Sequence, residues 1–487
     1  MQLGEQMTRQ PLSDGLVAFV KRDCPTCVIV EPVLAALQDA TAVTVYTQDD
    51  PTFPAGITGV VDDTSLEQSW HNDIETVPTL IRVEAGREVE RIVGWERSTW
   101  EKFTGVDNLG VELTDWSPGC GSLSVHPEHA ARLVAEFATE RLSARQVGLG
   151  ASEDPFEAMF DRGWSDGLPL IPPTDERVHR MLTGTTRAPA DVVAIVPPDL
   201  VECSVEKVAI NAVMAGCRPE YLPLVIAALE AVCTDEFNMH GLLATTMPVG
   251  PVIVVNGPIR QRIGMNSGLN VFGQGNRANL TIGRALQLTI RNVGGGRPGE
   301  VDRATHGSPA KLSFCFAEDE EGSPWDSLAE SRGFDAGQST VTVFGGEAPH
   351  CVIDQLARTP EELVASLSYA LRSLYSPKLP MAFDAMLAIS PDHARVFAEA
   401  GWDRAQLISE IDKRVLLSGT ESARGADGLA EGVPDDFAGM DLPKFRPGGL
   451  LVVHCGGGAG LFSSIIGGWV NGEKGSNPVT RAIQTEE

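Results

Sequence analysis

Residues 22–40, RDCPTCVIVEPVLAALQDA, decide how the first part of this chain is read. They follow the apolar run GLVAFVK (15–21), which has the length and composition of a buried strand. A strand thus gives way to a helix near Asp23, with Val28, Leu34 and Leu37 in the apolar phase of that helix. Cys24 falls at or just before the first turn, where free backbone N–H groups and the positive end of the helix dipole stabilise a thiolate. Cys27 lies one turn later and can close a disulfide onto it. A redox couple, a metal-binding pair and an inert pair are the three readings. Zinc would need a second pair or histidines at ligand spacing, and no second CxxC occurs in the chain. The strand-to-helix setting favours redox chemistry, with Cys24 as nucleophile and Cys27 as the resolving thiol.

Further on, AVTVYTQDD (42–50) reads as a second strand, and DIETVPTLIRVEAGREVERIVGW (73–95) as a strand, a turn at Ala85-Gly86 and a partner strand. Cys24-Pro25-Thr26-Cys27, Pro32 within the following helix, Val77-Pro78-Thr79 and the hairpin after them together resemble a thioredoxin-like domain. The resemblance covers residues 10–105. It implies that Pro78 is cis and that the backbone of Val77 faces the cysteines and holds an extended substrate. Two departures stand out: Asp23 precedes the first cysteine, and Ala18 occupies the strand position where thioredoxins keep a buried carboxylate. Asp23 is expected to raise the pKa of Cys24. Service to one dedicated partner is expected rather than general protein disulfide reduction.

With 487 residues, 43% hydrophobic and 21% charged, the chain has an ordinary globular composition and the length for two or three domains. A formal charge of −28 argues against binding nucleic acid or an anionic membrane, which needs clustered Lys and Arg. No apolar run reaches the roughly 18–20 residues that span a bilayer. The opening MQLGEQMTRQPLSDG has no charged-then-apolar signal pattern, and nine scattered cysteines suit a reducing compartment. A cytoplasmic protein is expected.

Residues 106–150 form a joining segment with chemistry of its own. In WSPGCGSLSVHPEHAARLVAEF (116–137), Gly119 and Gly121 flank Cys120, and Pro127 and Glu128 open an amphipathic helix with Ala131, Leu133, Val134 and Phe137 inward. Cys120 is either a second nucleophile in a glycine turn or a small residue under a packed loop. The Gly-Cys-Gly-Ser stretch, with GWSDGLPLIPPTDERVHRML (163–182) after it, also resembles a group of bacterial proteins marked by a UGSC motif, some of them selenoproteins. That resemblance implies Cys120 at the redox position, although Leu123 replaces the final cysteine.

From 151 to 487, apolar strand patterns such as PVIVVNGP (251–258) and GGLLVVHCGG (448–457) alternate with helix patterns, as expected of an α/β (or α+β) domain that could divide into two sublobes. NVFGQGNRANLTIG (270–283) is rich in Gly and Asn where a helix should begin, so Gly275, Asn276, Arg277 and Asn279 are candidates to hold an anionic group. A dinucleotide fingerprint is not met, because no strand crossover with an acidic residue about 20 positions on accompanies it. Arg277, Arg284 and Arg291 share a helix stripe that is either solvated or functional. His454-Cys455, ahead of three glycines, stands where α/β sheets place ligands, and a buried strand end is the alternative for Cys455. Glu318 to Glu321 are read as solvated acids. A divalent metal near Glu318 or His240 is the minority expectation, and no other cofactor is expected.

The sequence therefore leads to an α/β protein with a thioredoxin-like domain at 1–105, a linker and helix at 106–150, and a substrate domain at 151–487. Its expected activity is thiol–disulfide oxidoreduction, in which Cys24 and Cys27 serve a thiol-dependent reaction on a small anionic molecule, with Cys120 or Cys455 as the internal thiol partner. A thiol reductant or reductase would complete the cycle. The alternatives are a non-redox lyase or hydrolase of a small anionic molecule, and a redox-sensing scaffold. Helices such as LPLVIAALEAVC (222–233) fit either a core or the contact of a homo-oligomer.

Overall fold

A computed structural model describes residues 12–137, 142–150, 152–308 and 311–484. The chain is a mixed α/β protein with several sheets, and it separates into two compact units, Met1–Arg141 and Leu142–Glu487. Among the described residues, no helix is long and apolar enough to cross a membrane.

In the first unit, strands β1 (Gly15–Val20), β2 (Val43–Thr47), β3 (Val61–Asp62), β5 (Thr79–Glu84) and β6 (Arg87–Val93) form one sheet in the order β3-β2-β1-β5-β6. β1 runs parallel to β2 and antiparallel to β5. Being central, β1 buries Val17, Ala18, Phe19 and Val20 completely, which explains its unbroken apolar run. The β5–β6 hairpin turns on Ala85 (φ 51°) and Gly86 (φ 74°), the positive φ pair of a tight two-residue loop. Helix α1 (Pro25–Ala40) follows β1 directly and buries Val30, Val33, Leu34 and Leu37. Val28, expected inward, is 48% exposed, because it falls one residue off the stripe that Cys27 and Val30 define. Helices α2 (Glu67–His71), α3 (Arg97–Thr104) and α4 (Pro127–Phe137) complete the unit. Leu133 of α4 is fully buried and Phe137 half-buried, while the side chains of Ala131 and Val134 lie outside the described residues. Two short strand pairings use β4 (Thr76–Val77), β7 (Trp95–Glu96), β8 (Trp116–Ser117) and β9 (Cys120–Gly121): β4 pairs β9, and β7 pairs β8. Cys120 thus stands in a strand rather than in a glycine turn.

The second unit carries two small antiparallel two-stranded sheets, β10–β11 (Val192–Val196, Val201–Ser204) and β17–β18 (Leu416–Ser418, Asp441–Pro443), and one large sheet. That sheet runs β13 (Cys315–Ala317), β12 (Gly250–Asn256), β14 (Thr340–Gly346), β20 (Phe462–Val470), β16 (Phe383–Ile389) and β19 (Leu450–His454), with β15 (His350–Ile353) on β20 and β21 (Val479–Ala482) on β14. It is built from two alike halves. In each, a central strand, β12 or β16, has one parallel neighbour, β13 or β19, and one antiparallel neighbour, β14 or β20.

The side-chain period of two sorts the residues of these strands. Val252, Val254, Phe316, Phe344, Met386, Ala388, Leu451, Val453 and Ile466 gather in one inner core. The alternate residues of one half, such as Ile253, Val255, Val341 and Val343, share a core with helices Val205–Ala215, Leu222–Val232 and Arg277–Asn292. Those of the other, such as Leu387 and Ile389, share one with Pro360–Arg372 and Arg404–Arg414. The sheet curls until its two edges meet at one end, where Asp319 N–H donates to the carbonyl of His454 at 2.8 Å.

Candidate active site: three thiols at the head of helix α1

Helix α1 starts where β1 ends, and Cys24 is its N-cap, with extended φ −142° and ψ 111°. This conformation turns Sγ back over the first turn, where it accepts a hydrogen bond from Cys27 N–H at 3.3 Å. On its other side Sγ lies 3.5 Å from the carbonyl oxygen of Val77, to which the protonated thiol donates. The Val77-Pro78 peptide is cis. Cys24 is 1% exposed and Cys27 fully buried.

The two thiols are driven in opposite directions. The Cys24 pKa is lowered from 9.0 to about 6, first by a hydrogen bond from the Cys27 side chain, with burial opposing, and then by a hydrogen bond from the Cys120 side chain and by the N–H groups of Cys27 and Thr26. The Cys27 thiol is pushed up, first by burial and then by the neighbouring Cys24. The expected upward push from Asp23 is not what prevails: Asp23 is exposed to solvent, where its charge is screened.

Cys120 is the third member. Its backbone pairs with Val77 across β4–β9 and Thr76 pairs with Gly121, which brings it beside the carbonyl that Cys24 Sγ approaches at 3.5 Å; burial first, and then the neighbouring Cys24, raise its own pKa. Unlike Cys24 and Cys27, it is partly exposed. Gly119 allows this docking, because a Cβ there would lie 2.2 Å from Thr76 Cγ2 and 3.2 Å from the Val77 carbonyl oxygen.

Several residues of this site carry no signal strong enough to be read from sequence. Lys21, 9% exposed at the end of β1, donates through Nζ to Gly121 O at 2.8 Å. Thr26 Oγ1 shares a 2.8 Å hydrogen bond with Ser117 Oγ. A lysine closing an otherwise apolar strand was the one available hint, since buried charges must be partnered.

The candidates in the second unit are distributed differently. Asn276 caps the helix Arg277–Asn292 by accepting from Asn279 N–H at 3.0 Å, and Asn279, 2% exposed, donates to Asn266 O at 2.9 Å. Arg277 is exposed and donates from Nε to Gly216 O at 2.9 Å, while Gly275 is exposed at φ 114°. Arg284 forms a two-pronged pair with Asp166 at 2.7 and 2.8 Å, a structural contact rather than a solvated face. Cys455 is 4% exposed in the inner core of the sheet, and burial pushes its thiol up, so it presents no thiolate to a partner.

His454 is fully buried, with Nδ1 2.9 Å from Asp319 O. Glu318, read as a solvated acid, is fully buried instead. Its carboxylate accepts from Asn256 Nδ2 at 2.6 Å and Leu328 N–H at 2.7 Å, and faces Arg404 at 3.5 Å. Glu320 and Glu321 pair with Arg260, each at 2.9 Å. Among the described residues no three His, Cys, Asp or Glu side chains gather as a metal site, and His240 is an exposed residue of the helix Met239–Ala244. No family model matches the chain, and no curated protein is significantly similar to it.

Proposed function

We propose that the chain is a thiol–disulfide oxidoreductase of thioredoxin-like construction, with Cys24 as the attacking thiolate and Cys27 as the thiol that resolves the mixed disulfide. The observation that carries this reading is the placement of Cys24 Sγ at the helix N-cap, accepting from Cys27 N–H with its pKa held at about 6. At neutral pH such a thiol is mostly anionic, and the anion is the nucleophile. The sheet order β3-β2-β1-β5-β6, the cysteines at the junction of β1 and α1, and the cis bond before Pro78 support the family resemblance. Attack by Cys24 on a disulfide sulfur forms a mixed disulfide and expels one thiolate. Cys27 then attacks Cys24, releases the second thiol and leaves Cys24–Cys27 oxidised, to be returned by an external thiol reductant.

In this reading the second unit bears the small anionic substrate, and exposed Gly275 and Arg277 are the residues that would meet it. Equilibrating the full-length protein in dithiol–disulfide buffers and counting free thiols by mass spectrometry tests the assignment. The wild type should lose Cys24 and Cys27 together as a two-electron couple, and Cys24→Ser should lose that couple. Retention of both as thiols under oxidising buffers would remove the reading.

A further inference from the structure

We infer that Cys120 is the thiol through which the Cys24–Cys27 pair exchanges with the outside, and that the disulfides it meets are small molecules rather than proteins. This rests on the oxidoreductase reading above. Cys24 and Cys27 are 1% and 0% exposed, whereas Cys120 is partly open, between exposed Pro118 and exposed Gly121, and its strand pairs with Val77, whose carbonyl oxygen lies 3.5 Å from Cys24 Sγ. The backbone edge beside Cys24, at Thr76 and Val77, is what an extended polypeptide would need in order to bring its own disulfide there by strand addition. That edge is already taken by Cys120 and Gly121.

The occupying strand is fixed on both sides. Upstream, Trp116 and Ser117 pair with Glu96 and Trp95, and Gly94 and Gly119 approach so closely that a Cβ on Gly94 would lie 3.1 Å from Gly119 N. Downstream lies a buried polar network. Gln48 Nε2 donates to Ser69 Oγ at 2.7 Å and to Ser122 Oγ at 2.6 Å, Leu123 N–H donates to Gln48 Oε1 at 3.0 Å, and Ser124 Oγ donates to Ile74 O at 2.6 Å. Lifting the strand would strip partners from Gln48, Ser122 and Ser124, all buried, and one added edge strand would not restore them.

The exchange is then a three-thiol relay. Cys120 passes its proton to the Cys24 thiolate and attacks RSSR, forming Cys120–S–S–R and RS⁻, which takes that proton and leaves as RSH. The Cys24 thiolate attacks the Cys120 sulfur and expels the second RS⁻, giving Cys24–S–S–Cys120. Cys27 attacks the Cys24 sulfur, and its proton goes to the departing Cys120. The sum is RSSR reduced to RSH and RS⁻, one Cys24–Cys27 disulfide formed, and Cys120 returned as a thiol.

Reduced full-length protein mixed with bis(2-hydroxyethyl) disulfide, quenched in acid and mapped by mass spectrometry tests this. Cys24→Ser should hold a mercaptoethanol adduct on Cys120, and Cys27→Ser should accumulate the Cys24–Cys120 disulfide. Cys120→Ser and Cys120→Ala, checked by near-UV circular dichroism, should form Cys24–Cys27 at least ten-fold more slowly than wild type. Wild-type rates in both Cys120 variants would overturn the inference while leaving the oxidoreductase reading intact. Absence of any Cys24–Cys27 disulfide in the wild type would overturn both. The disulfides of insulin should remain intact under the same conditions, and their reduction at a comparable rate would overturn the restriction to small molecules.

Discussion

At Cys24, the neighbours that lower the pKa are themselves thiols, so the acidity of one cysteine depends on the protonation of two others. Cys27 contributes most, through its side-chain hydrogen bond, and Cys120 adds a further one. Replacing Cys27 with Ala should move the pH midpoint of the Cys24 thiolate absorbance, taken as the difference from Cys24→Ser in the same background, upward from about 6 toward 9.0, with a smaller rise for Cys120→Ala; ultraviolet titrations from pH 4 to 9 check both. The same shift ties stability to pH. The folded pKa lies below the unfolded 9.0, so the contribution of Cys24 is fully present above 9.0 and is lost as pH falls through about 6. Denaturant titrations of the reduced protein against Cys24→Ser, at several pH values across that window, should show the difference widening as pH rises. The helix-cap position of Cys24 was legible in the sequence, because a strand followed by a helix can be read from periodicity alone. The weak influence of Asp23 was not, since it depends on that side chain standing in solvent.

Among the elements, the short β4–β9 pairing matters out of proportion to its length, because it sets Cys120 against Val77. Gly119 makes the approach possible, and Thr76, β-branched and stiff at χ1, leaves no room for a methyl group. Gly119→Ala should therefore cost about 1–3 kcal/mol of stability as an overpacked contact, and should also reduce the yield of the Cys24–Cys120 disulfide in a Cys27→Ser background. Urea midpoints and mass spectrometry read the two effects. The large strands of both units follow visible patterns: GLVAFVK reads as buried because β1 is central, and PVIVVNGP because both of its faces are covered. Two-residue strands such as β4 and β9 leave no periodicity to detect. Their pairing is decided by which distant segments the fold brings side by side.

At the scale of the whole molecule, each unit has its own core, and damage to one should leave the chemistry of the other intact. Glu318 provides the test. It is fully buried where the large sheet closes, and Asn256, Leu328, His454 and Arg404 all depend on its carboxylate. Glu318→Ala should destabilise the second unit by about 3–5 kcal/mol, the cost of leaving a buried charge unpaired, while the pH titration of the Cys24 thiolate stays where it was. Thermal unfolding and the thiolate titration together check this.

By itself, the sequence determined the alternation of strands and helices and the position of Cys24 at a helix start, because hydrophobic period and helix capping are local properties of consecutive residues. Only the tertiary structure decided that Cys120, 96 positions away from Cys24 in the numbering, stands against it, and that Glu318 and Cys455 are interior. Contacts between remote segments arise from how whole elements pack, and no short stretch of residues encodes them.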